Sequence, residues 1–425
     1  MSKEPDLQIA LDAACRAAGV PGAALAILDH EEIQTVEVGV ASVETREPVT
    51  PATRFPIWSI AKSLTTMLVL QLVDEGRLAL DDPAVHYFPE LSLGGWSAAL
   101  SGAITIRHLL ACTSGLPQIA SEMGREGDDA LERYLLECRG VELVHVPGER
   151  FAYSNTGFTL AGLIVERLRG HTWDEVLFER LLQPLGLAAT GSRLEQLGSA
   201  RLVANHDTPE HGVPTIVPQW RPRDLGPAGT VVFSTATDMA SYAAHHLRSE
   251  WGRMREPQVS FPGPHVESWG LGWALYGWGA SVFGWDGGGP SRAFLRVLPE
   301  HQAAVVLLTN ASTGRRVYHS LLADLLRQRF GVHMAPEAPP AVDHAARPGE
   351  LARYTGIYRS GPFSHHVSVS EHGELLVRGQ FLGDEELPLL PTGERDVFIL
   401  PNSDYPTVVF DGDFMNLYCY GYRRS

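Results

Sequence analysis

The chain has 425 residues, of which 44% are hydrophobic. This length and composition predict a soluble globular protein with a sizeable core and about two or three domains. Its 50 acidic and 34 basic residues give a formal net charge of −16, which repels nucleic-acid phosphates and anionic lipid headgroups. Neither nucleic acid nor a membrane is therefore an expected partner.

The N-terminal segment is predicted to form an amphipathic helix, because it lacks the features of a secretory signal. No apolar run reaches the roughly 18 to 20 residues needed to span a bilayer. The four cysteines show neither a paired nor a metal-like spacing. Together these observations predict a cytoplasmic protein with reduced thiols and without a metal or other cofactor.

The first two thirds of the chain alternate between strand and helix patterns. Residues 22–42 contain two short apolar runs around a polar turn, which is typical of a β-hairpin. A helix is predicted from Ser59 to about Asp74, with Gly76 placed to end it. Helical patterns continue through residues 104–186, and later segments predict three strands and a helix, in "SVFGW", "RAFLRVLP", "AAVVLLTN" and "VYHSLLADLLRQRF". Helices enclosed between early and late strands indicate an α+β fold whose strands share one sheet.

The composition changes near residue 334. Residues 334–348 are rich in Pro and Ala, as expected for a linker. Residues 349–425 contain short strands separated by turns and predict a small all-β domain. The sequence thus predicts a first domain over residues 1–333, a linker and a C-terminal β domain.

The stretch "SIAKS" is the first candidate for chemistry, because it places Ser59 and Lys62 three residues apart at a helix start. A serine hydroxyl is a poor nucleophile unless a base takes its proton, and a lysine can be that base when its pKa is lowered. Residues at i and i+3 share a helix face, and a helix N-terminus disfavours an ammonium. The alternative is a polar first turn with a solvated lysine, since this pattern is common by chance.

A second candidate is the loop "FAYSN", in which Tyr153 and Asn155 stand two residues apart. In an extended loop both side chains point to the same side. A phenol beside a lysine can shuttle a proton, and a carboxamide can hold a lysine or an acyl-group amide. Loop capping is the other interpretation, and the pairing with Ser-x-x-Lys favours the catalytic one.

With these motifs the chain resembles the serine β-lactamase and penicillin-binding-protein superfamily, in the branch of class C β-lactamases, D-alanyl-D-alanine carboxypeptidases and family VIII esterases. The resemblance covers roughly residues 7–330, and its matching segments are "SIAKS", "TIRHLLACTSGLP", "PGERFAYSNTGF", "LLQPLGL", "GPAGTVVFSTATDMASY" and "WGLGW". It implies an antiparallel sheet flanked by helices, with an inserted helical region and the active site between them. It further implies Ser59 as acylated nucleophile, Lys62 as its base, Tyr153 as proton shuttle and Asn155 as a substrate and lysine contact. The C-terminal region resembles the lipocalin-like module that some members append.

The third motif of this family departs from the usual pattern. Relatives carry Lys-Thr-Gly or His-x-Gly on a strand, whereas this chain reads "VFGWDGGGPSRAFL", with Trp285 in the cationic place. An indole cannot supply the charge that binds a substrate carboxylate, which argues against β-lactamase or carboxypeptidase action. The change resembles the Trp-Gly-Gly variant of family VIII esterases and related acyltransferases. Asp286 repels anions if it faces the cleft; otherwise it points away and pairs with Arg292.

The glycines after Trp285 complete the candidate site. By resemblance, the backbone N–H of Gly288 joins that of Ser59 as an oxyanion hole, and Gly287 lets the acyl oxygen approach the strand. The alternative is that these glycines form a flexible turn.

These features predict a metal-free and cofactor-free serine hydrolase that acts through an acyl-enzyme on ester or amide bonds, with esterase activity as the first expectation. One alternative is a transacylase, such as a penicillin-binding-type peptide-cyclising thioesterase, or a D-amino-acid-specific peptidase. An alternative of another class is a catalytically silent binding protein. The expected partner is a small-molecule or peptide substrate, with a carrier protein as a further candidate.

Overall fold

The computed structural model describes residues 7–425 apart from 120–125, 210–211, 220, 262–265, 280, 335–340, 343–347, 381, 402–405 and 418. In the first part of the chain the elements are α1 (Leu7–Ala18), β1 (Gly22–Asp29), β2 (Glu32–Gly39), β3 (Phe55–Pro56), α2 (Ala61–Asp74), α3 (Ile106–Leu110), α4 (Ala130–Glu137), α5 (Asn155–Arg169) and α6 (Trp173–Leu177). They are followed by β4 (Asn205–Asp207), β5 (Thr215–Val217), β6 (Phe233–Ser234), α7 (Ala236–His246), β7 (Val259–Ser260), β8 (Ser268–Trp269), β9 (Ala274–Gly277), β10 (Ser281–Gly288), β11 (Arg292–Leu298), β12 (Ala303–Thr309) and α8 (Gly314–Phe330).

An eight-stranded sheet forms the centre of this part, in the order β2-β1-β12-β11-β10-β9-β8-β7. The early hairpin and the late strands join where β1 pairs antiparallel with β12, so that Leu25 lies opposite Leu307. All seven residues of β12 are buried, which requires cover on both faces of the sheet. Helices α1 and α8 pack on each other and on the sheet, and α7 packs on β1 and β12. The predicted single α+β sheet is confirmed.

The inserted helical region is built around α2 and α5, which pack against each other. The sequence pattern predicts one apolar face on α2, but every residue from Ala61 to Leu70 is buried. Other elements enclose α2 on all sides, so Lys62 and the small polar residues of the helix are buried together with its apolar face. The helix ends as predicted, because Gly76 adopts a positive φ of 68° and its N–H donates to Val73 O.

The C-terminal part starts with the short helix α9 (Pro348–Leu351). Its strands are β13 (Gly356–Ser360), β14 (Phe363–Val369), β15 (Leu375–Gly379), β16 (Gly383–Pro391), β17 (Val397–Ile399), β18 (Thr407–Asp411), β19 (Phe414–Leu417) and β20 (Tyr420–Arg424). They form a closed antiparallel barrel, which is consistent with the expected small all-β domain, and closure leaves no open strand edge. The predicted linker falls mostly on residues outside the described part of the chain.

The barrel packs against the first domain next to residues 144–153. Phe414 of β19 lies in a small buried cluster with Val144 and Ala152. Arg150 pairs with Asp411 of the barrel. These contacts bring the turn between β19 and β20 beside the "FAYSN" loop.

Across the described residues, no helix combines the length and the apolar character needed to cross a membrane.

Candidate active site

Ser59 lies in a 3₁₀ turn, Trp58–Ile60, between the short strand β3 and the start of α2. Trp58 has a φ of 48°, which is unusual for a bulky residue and indicates a strained turn. Its indole Nε1 donates to Ser291 Oγ at 3.0 Å. Behind it, a Cβ added to Gly229 would lie 2.0 Å from Trp58 O, so only glycine allows this approach. The turn is therefore held from two sides, which fixes the position of Ser59.

Lys62 is fully buried one turn into the helical segment, and its ammonium group has three oxygen acceptors. Nζ donates to Ser59 Oγ at 3.1 Å, to Asn155 Oδ1 at 2.8 Å and to Ala228 O at 2.7 Å. Burial disfavours the charged form and lowers the pKa of Lys62 from 10.5 to about 7. A large fraction of Lys62 is thus a neutral amine at neutral pH, which is the form a general base needs.

Tyr153 completes the group from the loop before α5. Its hydroxyl lies 2.5 Å from Ser59 Oγ, and its ring centroid is 4.8 Å from Lys62 Nζ. Burial raises the pKa of Tyr153 well above 10, with Tyr420 as the next contribution. The phenol therefore stays protonated at neutral pH and is able to donate a proton. The structure brings together the four residues that the two sequence motifs predict, since Asn155 holds Lys62 from the first turn of α5.

Sequence reasoning missed Gln118, which supports the "FAYSN" loop. Its Nε2 donates to Tyr153 O at 2.7 Å, and its Oε1 accepts from Asn155 N at 3.4 Å. Gln118 follows the matching segment "TIRHLLACTSGLP" directly, but no spacing in the sequence connects it to a loop 35 residues away.

Trp285 lies beside Lys62, with its ring centroid 5.8 Å from Nζ and 6.3 Å from the ring of Tyr153. Its side chain is only 2% exposed, and Nε1 donates to Gly272 O at 2.6 Å. The indole is therefore a buried neighbour of Lys62 and does not present an open face to a cleft.

Asp286 faces the opposite side of β10, as the alternation of a strand requires. Its carboxylate pairs with Arg296 at 2.5 Å and with Arg315 at 3.1 Å. Arg296 is fully buried and also donates to Tyr318 OH. The structure thus places Asp286 on the side away from Lys62, where Arg296 and Arg315 pair with it. Arg292, the partner expected from the sequence, donates to Gly289 O, and its pairing with Asp286 stays a prediction.

Gly287 and Gly288 of β10, and Gly289 just after it, allow the strand to lie directly against the turn that carries Ser59. A Cβ on Gly287 would lie 2.6 Å from Ile57 O, and one on Gly289 would lie 2.7 Å from the Trp58 ring. A Cβ on Gly288 would meet only Arg292 Nη1, at 3.4 Å. The predicted oxyanion hole of the Ser59 and Gly288 N–H groups fits this close approach and stays a prediction.

The described residues contain no group of three or more His, Cys, Asp or Glu side chains arranged to hold a metal ion. Two buried histidines are His246 and His365, each about 1% exposed. Burial lowers the pKa of His246 to about 3 and that of His365 to about 4, so both are neutral at physiological pH.

Comparison with known proteins identifies the family. The model of the Beta-lactamase family matches residues 10–328. The chain belongs to this family. It is 34% identical over 365 residues to penicillin-binding protein 4 of Amycolatopsis lactamdurans, which covers 80% of this chain and 93% of that protein. Members of the β-lactamase and penicillin-binding-protein superfamily are serine hydrolases, and the predicted superfamily is confirmed.

Solved structures extend the similarity to the barrel. The structure of SurE superposes with a TM-score of 0.82 at 26% identity and covers 99% of this chain and 98% of SurE. A D-amino acid amidase from Ochrobactrum anthropi superposes with a TM-score of 0.61 at 24% identity, covering 74% of this chain and 97% of the amidase. The second likeness shows the fold alone. The predicted fold class is confirmed.

Proposed function

We propose that this protein is a serine hydrolase or acyltransferase that forms an acyl-enzyme on Ser59. The observation that carries the proposal is the position of Ser59 Oγ, which lies within hydrogen-bond distance of both Lys62 Nζ and Tyr153 OH. A nucleophile in contact with a neutral amine and a protonated phenol has a base and an acid available at once.

In the proposed acylation, Ser59 Oγ attacks the substrate carbonyl carbon while Lys62 Nζ takes the Oγ proton. The oxyanion accepts hydrogen bonds from the N–H groups of Ser59 and Gly288. Tyr153 then donates its proton to the leaving group and regains one from the Lys62 ammonium, so the proton count is balanced. Deacylation repeats the sequence with water, an alcohol or an amine as the attacking group.

The surroundings of the site favour substrates that bring no carboxylate to Trp285, the position at which relatives have a cationic side chain. Trp285 occupies that place and is buried, so it offers no charge to an anionic group. A neutral ester is therefore the first proposed substrate class.

A second candidate function is acyl transfer or hydrolysis involving D-amino-acid residues. It is supported by the similarity to SurE, which was also solved with D-Leu, and that structure superposes on this chain with a TM-score of 0.80 at 26% identity. In this case an amine takes the place of water in deacylation. A transacylase with a carrier-bound or peptide donor uses the same serine, lysine and tyrosine.

Labelling with a fluorophosphonate followed by peptide mass mapping tests the proposal. We expect an adduct on Ser59 in the wild-type protein and none in Ser59→Ala. Ser320→Ala is the matched control, because Ser320 is exposed on α8 and its hydroxyl donates to Val317 O of the same helix. Absence of an adduct under conditions that label a control esterase contradicts the enzyme proposal and favours a silent binding protein.

A substrate panel then separates the two candidates. p-Nitrophenyl esters, D- and L-leucine amides and a cephalosporin are incubated with and without an amine acceptor. Ester turnover independent of the acceptor supports hydrolysis, whereas an acylated amine, detected by mass spectrometry, supports transfer. A preference for the D-amide over the L-amide supports the second candidate.

A further inference from the structure

The turn between β19 and β20 of the barrel contacts the proposed catalytic tyrosine directly. The backbone N–H of Tyr153 donates to Cys419 O at 2.9 Å. The ring of Tyr420 meets the ring of Tyr153 edge-on, with 5.4 Å between centroids and 83° between planes. Tyr420 is half-buried. One backbone group and the ring of Tyr153 are thus in contact with the barrel.

The carbonyl of Tyr153 is connected to the barrel by hydrogen bonds through Gln118. It accepts from Gln118 Nε2, and the backbone N–H of Gln118 donates to Ser360 Oγ at the end of β13 at 3.3 Å. The next barrel residue, Gly361, has a φ of 58°, and a Cβ there would lie 2.3 Å from Gln118 O. The barrel and the Gln118 segment are therefore packed closely enough to exclude a methyl group.

Cys419 adopts a left-handed φ of 63°, which is unfavourable for a residue with a side chain. Such a conformation persists only where the surrounding contacts hold it, and it is common at functional sites. Burial raises the pKa of the Cys419 thiol, so the thiol stays protonated and unreactive. The contribution of Cys419 to the site is accordingly its backbone carbonyl.

We propose that the barrel is a working part of the active site, in which Tyr420 is a positioning residue that holds Tyr153 against Ser59. The proposal rests on the proposed function, because it concerns the proton donor of that reaction. The ring of Tyr420 and the carbonyl of Cys419 limit the movement of the Tyr153 loop, so that the phenol hydroxyl stays within reach of Ser59 Oγ. Loss of the Tyr420 ring should slow acylation more than it weakens substrate binding.

The test uses full-length variants and the burst of p-nitrophenol released from p-nitrophenyl acetate, which reports acylation separately from deacylation. Tyr420→Ala should lower the acylation rate constant about tenfold, near the upper end of the contribution of an aromatic pair, while the concentration for half-saturation changes less than twofold. Tyr420→Phe keeps the ring and should restore the rate to within about twofold of wild type.

Tyr354→Ala is the matched control. It also removes a barrel tyrosine, but one that packs on Phe398 and Phe410 inside the barrel. It should lower the unfolding temperature without a selective loss of acylation. Ser360→Ala is an independent probe, because it removes the acceptor of the Gln118 N–H without touching Tyr153, and it should slow acylation about threefold, the effect of one neutral hydrogen bond.

The outcomes separate the two proposals. If wild-type protein shows neither a burst nor an adduct on Ser59, the proposed function fails. If wild type is acylated and folded Tyr420→Ala is acylated equally fast, the positioning role of Tyr420 is refuted. A loss in Tyr420→Phe as large as in Tyr420→Ala also refutes it, because the packing of the ring is then not the cause. If Tyr420→Ala does not fold, Tyr420→Leu takes its place, and an unchanged acylation rate in folded Tyr420→Leu overturns the positioning role of Tyr420.

Discussion

Replacement of Trp285 by phenylalanine should alter the pH dependence of the proposed reaction. The indole is 2% exposed, donates to Gly272 O and lies 5.8 Å from Lys62 Nζ. Phenylalanine is smaller and lacks the N–H, so Gly272 O loses its donor and space opens beside the amine. Water that enters this space solvates the ammonium form of Lys62 and raises its pKa.

The size of the effect follows from the burial of Lys62. Burial lowers its pKa from 10.5 to about 7, a difference of about 3.5 units or roughly 5 kcal/mol against the charged form. If the entering water removes about a third of this burial effect, the pKa of Lys62 rises to about 8. At pH 7 the neutral fraction of the lysine then falls from about one half to about one tenth, and kcat/KM falls about fivefold. At about pH 9.5 both proteins hold mostly neutral lysine, so the difference largely disappears.

The assay is kcat/KM for a neutral p-nitrophenyl ester from about pH 5.5 to 10. The wild-type rate should rise through about pH 7, because the base must be neutral. In Trp285→Phe the same rise should be shifted upward by about one pH unit. Trp273→Phe is the matched control, since Trp273 is fully buried near Tyr242 and Phe283 and its loss should lower stability without this shift. A loss in Trp285→Phe that is equal at every pH refutes the reasoning.

Three further predictions concern the same elements. Folding lowers the pKa of Lys62, so the unfolded chain binds more protons than the folded chain between about pH 7 and 10.5. From pH 7 to 9 the free energy of unfolding of the wild type, measured in urea, should therefore rise by roughly 2 kcal/mol relative to that of Lys62→Met. Asp286→Ala leaves the buried guanidinium of Arg296 without this carboxylate and should lower the free energy of unfolding by about 3 to 5 kcal/mol, whereas an unchanged urea midpoint contradicts a structural role for the pair. Gly287→Ala places a Cβ 2.6 Å from Ile57 O and should slow acylation at least about tenfold, whereas Gly288→Ala should slow it less. Equal acylation rates of the two variants in stopped-flow assays contradict the close approach of β10 to the Ser59 turn.

The parts of the site that the sequence predicts are those that depend on local geometry. Ser59 and Lys62 share a side of the helical segment because they are three residues apart, and the structure joins them by a hydrogen bond. Tyr153, in the loop before α5, reaches Ser59, and Asn155, in the first turn of α5, reaches Lys62. Their convergence on the first motif came from the family resemblance, since no local rule relates loops about ninety residues apart.

The parts that the sequence did not predict depend on contacts between distant segments. Gln118 and Tyr420 support Tyr153 from different directions, and neither belongs to a motif. The C-terminal domain was predicted as a set of short strands, but its contact with the "FAYSN" loop is a property of how two domains pack. Burial of Trp285 is likewise a tertiary property, because an aromatic residue on a strand is equally compatible with a core and with a cleft wall.

The pleat of β10 places Trp285 and Asp286 on opposite faces of the strand, which keeps a carboxylate away from Lys62. A lysine serves as a base near neutral pH only if it is buried and has no carboxylate beside it, since a carboxylate stabilises the ammonium. The described hydrogen-bond partners of Lys62 are accordingly neutral oxygens, and the strand turns the indole of Trp285 toward it. Asp286 is the next residue, and the same pleat turns it to the opposite face, where Arg296 pairs with it. A register shift of one residue would exchange the two side chains and bring a carboxylate to Lys62. The pairing of β10 with β11, in which Trp285 lies opposite Leu295, prevents this shift and so keeps the pKa of Lys62 low.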